Sequence, residues 1–136
     1  MKFVVIGGDA AGMSAASRAK RNAPDLEVLV LEQGHDVSYS ACGMPYNIAD
    51  PGREMDDLVV RQAEVFREKQ GIDLRTGHRV ESIDAGARKV KGRTRRGEEF
   101  EIYYVDLPIA TGASSHGKPC PEGRDPGHGL HRPGDV

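Results

Sequence analysis

The sequence predicts an α/β protein: one βαβ unit followed by an inserted antiparallel β-meander. Three observations predict it. An apolar run from Lys2 to Ile6 passes directly into Gly7-Gly8-Asp9-Ala10-Ala11-Gly12, and an alanine-rich stretch of strong helix propensity continues to Arg21. A second apolar run, Glu27 to Leu31, ends in Glu32, twenty residues after Gly12. Beyond residue 70, short β-type segments alternate with glycine turns, the pattern of a meander.

The first strand, the glycine turn and the helix form a Rossmann-like unit, because each part has the residues that dinucleotide binding requires. Glycines permit a tight turn and close approach of phosphate to backbone, and the helix start offers oriented N–H donors to a pyrophosphate. An acid at the end of the second strand accepts a ribose hydroxyl, which is the position of Glu32. The fingerprint departs from G-x-G-x-x-G at Asp9, which stands where the second glycine belongs and whose charge opposes a pyrophosphate. A glycine turn in an α/β protein that binds no nucleotide is the competing reading.

The next segment, Ser38-Tyr39-Ser40-Ala41-Cys42-Gly43-Met44-Pro45-Tyr46, sets a cysteine ten residues after Glu32. Pro45 marks a first helical turn, so Cys42 is expected at a helix entrance whose free N–H groups stabilise a thiolate. An inert buried cysteine is the alternative. A loop at residues 50–55 then leads to an amphipathic helix, Arg61 to Gln70, capped by Gly71. Strands are expected at Ile72 to Arg75, Arg79 to Asp84, Lys89 to Arg93 and Glu99 to Val105, with turns at Gly77, Ala85-Gly86 and Gly97. A last short strand, Leu107 to Ala110, runs into Thr111-Gly112-Ala113. Residues 114–136, with Cys120 between two prolines, are mostly Gly, Pro, His and charge, and are expected to be an irregular tail outside a first domain of residues 1–113.

Composition excludes several function classes. A net charge of -2 gives no general attraction for nucleic acid, and the one basic run, Arg88 to Arg96, lacks interleaved aromatics and reads as the solvated tip of a hairpin around Gly92. No apolar stretch approaches the roughly 20 residues that span a bilayer, and the first strand begins where a signal peptide would lie. Two cysteines without framework spacing point to a reducing compartment, with cytoplasm as the default, and no metal is implied.

Three separated motifs, the glycine fingerprint, the Cys42 segment and Ala110-Thr111-Gly112, resemble the flavin-dependent pyridine nucleotide-disulfide oxidoreductases. Within that family the likeness is to the branch of coenzyme A-disulfide reductases, NADH oxidases and NADH peroxidases, and it covers residues 2 to about 113. The resemblance implies FAD as cofactor, with Gly7, Gly8, Ala10, Ala11 and Gly12 at its pyrophosphate and Glu32 and Gln33 at its ribose end. It puts the backbone of Val80 at the adenine and Ala110, Thr111 and Gly112 against the flavin. Ser38, Lys20, Arg21 and Arg61 match positions that line a coenzyme A channel, although cations at a helix C-terminus are also favoured by the helix dipole alone.

By the same resemblance, NADH or NADPH reduces the flavin and the flavin reduces Cys42, held as a disulfide, persulfide or sulfenic acid. The partner is then a small thiol or disulfide such as coenzyme A disulfide. The family continues past the A-T-G segment into an NADH domain, a later flavin segment and a dimerisation domain that makes it a homodimer, so the chain reads as the N-terminal FAD-binding part, a fragment. The other function class compatible with these residues is a non-catalytic nucleotide-binding module derived from that family.

Overall fold

The computed structural model describes residues 2–38, 40–50, 52–54, 58 and 62–113. Strand β1 (Lys2–Ile6), helix α1 (Ala10–Asn22) and strand β2 (Glu27–Leu31) form the expected βαβ unit, with β1 and β2 parallel and paired from Lys2↔Glu27 to Ile6↔Leu31. A 3-10 turn at Ala41–Gly43 leads into α2 (Met44–Ala49), and α3 (Ala63–Gln70) follows. Helix α3 starts two residues later than expected, with Gln62 at its N-cap, and ends where predicted: Gly71 takes the left-handed conformation, φ 62°. Ile72 then donates its N–H to the Phe66 carbonyl at 3.3 Å, closing the C-terminus.

Strand β3 (Asp73–Arg75) corrects the expected meander, because it pairs parallel with β2 through Leu29↔Asp73, Val30↔Leu74 and Leu31↔Arg75. Its Leu74 is buried in the same cluster as Val30 and Phe66, so β3 belongs to the layer that α3 covers. The meander proper is β4 (His78–Asp84), β5 (Lys89–Thr94) and β6 (Glu99–Tyr103), antiparallel in that order. Strand β6 ends before Val105 because the chain turns back to β1, where Val105 donates to the Lys2 carbonyl at 2.9 Å.

Gly92 is a second correction. It lies in the middle of the central strand β5, opposite Val80 and Phe100, rather than at a hairpin tip. A Cβ there would overlap the Arg79 carbonyl and stand 2.7 Å from Phe100 Cζ, so the glycine serves close packing. The cations around it pair with acids on the neighbouring strands: Lys91 with Glu101 at 3.1 Å and Arg93 with Glu99 at 2.9 Å.

The segment expected as a last strand lies along the free edge of β1 as two parallel bridges, Phe3↔Asp106 and Ile6↔Ile109. Pro108 has no N–H to donate, yet its carbonyl accepts from Ile6 at 3.0 Å, and Ala110 donates to the Ile6 carbonyl at 2.8 Å. Side chains of β1 and β2 alternate between two cores. Val5, Val28 and Val30 face Met13, Ala16 and Phe66 of the helices, whereas Val4, Ile6, Leu29 and Leu31 face Val90 and Ile102 of the meander. Burial on both faces explains why these two strands read as continuous apolar runs.

Candidate nucleotide and thiol site

The glycine turn is closed by backbone at Gly7 and Gly12 and by side chains at Gly8. Gly7 has φ 102°, and a Cβ on it would overlap the carbonyl of Ala110. A Cβ on Gly12 would overlap the carbonyl of Gly7, so α1 can approach β1 this closely only with glycine there. On Gly8 it would stand 2.8 Å from Val37 Cγ1 and 3.1 Å from Glu32 Cβ. Asp9, the departure from the fingerprint, is the N-cap of α1 with φ −90° and ψ −163°, an extended conformation open to any L-residue. Its carbonyl accepts the first helical bond, from Met13 at 2.9 Å. Glycine is therefore not required at position 9 by backbone geometry.

Glu32 sits at the carboxyl end of β2 and is 7% exposed. Its Oε2 accepts from the Gly8 N–H at 2.6 Å and its Oε1 from the Gly34 N–H at 2.7 Å. Its own backbone is fixed as well, donating to the Arg75 carbonyl at 2.9 Å and accepting from the His78 N–H at 2.8 Å. Gln33 beside it is exposed. Because His78 directs its N–H away from β5, strand alternation directs the backbone groups of Val80 to that same edge of β4. The Val80 side chain packs partly into the meander core, and the strand bulges immediately after it.

Ser38 hangs the cysteine loop on this turn. Its N–H donates to the Gly8 carbonyl at 2.9 Å while its backbone holds φ 55°, uncommon for a residue other than glycine. Farther along, Ser40 donates to the Leu58 carbonyl at 2.7 Å, and Asn47 Nδ2 donates to the Glu54 carbonyl at 2.9 Å. Cys42 is exposed and free. It lies within the 3-10 turn, ahead of α2, so the expected helix entrance is displaced by two residues, and Pro45 occupies the first turn of a helix only six residues long. A Cβ on Gly43 would come within 2.6 Å of Leu58 Cδ2, which ties the turn to the loop beneath it.

Lys20 and Arg21 are elsewhere. The 13 residues of α1 at 1.5 Å per residue carry them about 20 Å from the glycine turn. Lys20 Nζ donates to the Leu26 carbonyl at 2.9 Å, and Arg21 is exposed. Together with Ser17, Pro24, Lys69 and Gln70 they line an open cavity of about 390 Å³. Lys69 is a third cation that sequence reading passed over; its signal was the basic last turn of α3, which also holds Arg67. Arg61 and Cys120 lie outside the described residues. Ala110 reaches Gly7 directly, and Thr111 and Gly112 continue from it into solvent, Gly112 at φ 71°. Among the described residues no group of three side chains could hold a metal, and no helix is long and apolar enough to cross a membrane.

The fingerprint, the acid, the cysteine loop and the A-T-G segment thus converge at the carboxyl ends of parallel strands, where open α/β sheets bind their ligands. Known proteins are similar to this chain in sequence and in fold. The NAD(P)H coenzyme A polysulfide/persulfide reductase of Pyrococcus horikoshii is 42% identical over 113 residues, 83% of this chain and 24% of that protein. The coenzyme A disulfide reductase of Staphylococcus haemolyticus is 33% identical over 116 residues, 85% of this chain and 26% of its own length. A solved NAD-dependent persulfide reductase from A. fulgidus superposes with a TM-score of 0.81 at 40% identity, covering 88% of this chain and 22% of that one. The chain therefore spans about a quarter of the length of the curated relatives it matches. The family model described as pyridine nucleotide-disulphide oxidoreductase matches residues 1–133, and with the converging motifs it establishes that the chain belongs to that family of oxidoreductases.

Proposed function

We propose that residues 1–113 are the FAD-binding portion of a coenzyme A-disulfide or persulfide reductase, with Cys42 as its single redox residue. The family uses FAD and NAD(P)H. The observation that carries the reading is the closure of Gly7 on Ala110 beside the buried Glu32 carboxylate, which joins three motifs far apart in the chain. Gly7, Gly8 and Gly12 let the turn pack directly on Ala110, on Val37 and Glu32, and on the start of α1, and that helix start fits a pyrophosphate held by the first-turn N–H groups of Ala10, Ala11 and Gly12. Each Glu32 oxygen has accepting capacity left for a ribose hydroxyl, with Gln33 alongside and the backbone of Val80 available to an adenine. Ala110, Thr111 and Gly112 would back the flavin.

Bound FAD supplies the two electrons that NAD(P)H delivers. The work of the chain is to hold the thiol and the substrate. Exposed on its 3-10 turn, Cys42 Sγ is accessible to a disulfide; as thiolate it attacks one sulfur, the substrate S–S bond breaks and one thiolate leaves. The mixed disulfide on Cys42 then takes two electrons and a proton, releasing the second thiol and restoring the thiolate. Ser38 beside the turn and Lys20 and Arg21 at the far end of α1 suit a long substrate with phosphates at one end and sulfur at the other, which is the chemistry of coenzyme A. Arg61 joins this set by its match to the family. The two cysteines without framework spacing agree with a reducing, cytoplasmic setting.

Titration of the purified chain with ADP and with FAD tests the reading. Saturable binding of ADP and of FAD is expected. A folded chain that binds neither at millimolar concentration overturns the proposal.

A further inference from the structure

We infer that Glu32 acts first on the chain itself, as a positioning residue whose carboxylate staples Gly8 to Gly34 and so sets the shape of the nucleotide-binding turn. This rests on the nucleotide reading above but assigns the carboxylate a task separate from meeting a ribose. Both of its oxygens are already engaged, by N–H groups at 2.6 and 2.7 Å, before any ligand is considered. Distances this short are those of charge-assisted hydrogen bonds, about twice as strong as neutral ones.

Four hydrogen bonds converge on the same small region, two to the Glu32 carboxylate and two between backbone groups. Gly8 is gripped through its N–H by Glu32 and through its carbonyl by the Ser38 N–H, so the peptide planes on either side of it have no freedom to rotate. Those planes lead directly into Asp9 and the start of α1, whose N–H directions decide whether a pyrophosphate is met. Gly34 is held at its carbonyl by the Gly77 N–H at 3.0 Å, which extends the staple to the connector between β3 and β4. Neither Gly8 nor Gly34 has a side chain with which to hold itself in place. The anchoring therefore has to come from a neighbour with two acceptors about one carboxylate width apart. Glutamine has the same shape but offers one acceptor, and its NH2 would face one of the two N–H donors.

The test compares ADP with 2′,3′-dideoxy-ADP, which lacks the hydroxyls a carboxylate could contact. For the wild-type chain and for Glu32→Gln, affinities for both are measured by calorimetry, with amide exchange at Gly8 and Gly34 followed by NMR. A staple predicts that E32Q weakens dideoxy-ADP about tenfold or more and speeds exchange at both amides. If E32Q binds dideoxy-ADP as tightly as the wild type and loses affinity for ADP alone, the carboxylate serves the ribose only and the inference is overturned. If the wild type binds neither nucleotide, the functional proposal fails instead, and unchanged exchange in E32Q would overturn the staple separately. Should E32Q not fold, the wild type still decides: both amides must be protected, and exchange at the rate of an open loop rejects the staple.

Discussion

At the scale of single residues, the site depends on positions where nothing can be added. Gly12 stands against the carbonyl of Gly7, so Gly12→Ala forces α1 away from β1. The expected cost is about 1–3 kcal/mol of stability, read as a lowered urea midpoint, with a loss of ADP affinity larger than the instability explains. Unchanged stability and affinity would mean the helix can shift freely. Spacing alone made Gly7, Gly12 and Glu32 legible, because a tight turn followed by a helix leaves few residues free to vary. It could not reveal that the Glu32 oxygens meet Gly8 and Gly34, since that depends on where a loop folds back. At Asp9 the departure from glycine costs the backbone nothing, its φ of −90° being open to any L-residue, while the opposition of its charge to a pyrophosphate is a separate electrostatic matter.

Among the elements, the meander carries its charges as cross-strand pairs. Hydrogen bonds from Lys91, then Tyr103 and Lys89, hold the Glu101 carboxyl below its usual range, and the bond to Glu101 holds the Lys89 ammonium above its own. The lowered carboxyl contributes stability above its unfolded value of about 4.3 and loses it as pH falls through the folded value. The raised ammonium contributes below about 10.4 and loses it as pH rises through its folded value. Between these limits the contribution is flat. Subtracting the Tm profile of Glu101→Gln from that of wild type should give a plateau at neutral pH that declines on both sides and shrinks in 1 M salt, since exposed pairs are screened. A difference independent of pH would assign the effect to packing. The basic run looked like a hairpin tip because sequence displays the cations without their partners, which arrive from β4 and β6. Strand β3 was misassigned for a related reason: membership of a sheet is decided by long-range pairing with β2, and three residues carry no periodicity that would announce it.

Across the whole molecule, α1 acts as a spacer. Its N-terminus abuts the turn that holds Ser38, and its C-terminus carries Arg21 to the basic cavity about 20 Å away. A substrate that reaches both must be long, which separates coenzyme A disulfide from small disulfides. Arg21→Ala should therefore slow mixed-disulfide formation at Cys42 with coenzyme A disulfide by several-fold, about the effect of one exposed ion pair. Exchange with cystamine should be unaffected. Equal slowing of both, followed by mass spectrometry of the Cys42 peptide, would place the effect on the thiol rather than on a phosphate. Sequence resemblance supplied Lys20 and Arg21, but only the packing of α3 against α1 adds Lys69 to them.

The contact of Gly7 with Ala110 also orders events in time. A ribosome releases the fingerprint first and the residue that closes it about a hundred positions later, after both strands that flank β2 have been made. Until Ala110 emerges, the edge of β1 is bare and Gly7 has nothing behind it. Parallel pairing over such separations is slow to form. The turn at Gly7 is thus completed long after its own residues have been made, and a ligand that needs the closed turn must wait for Ala110.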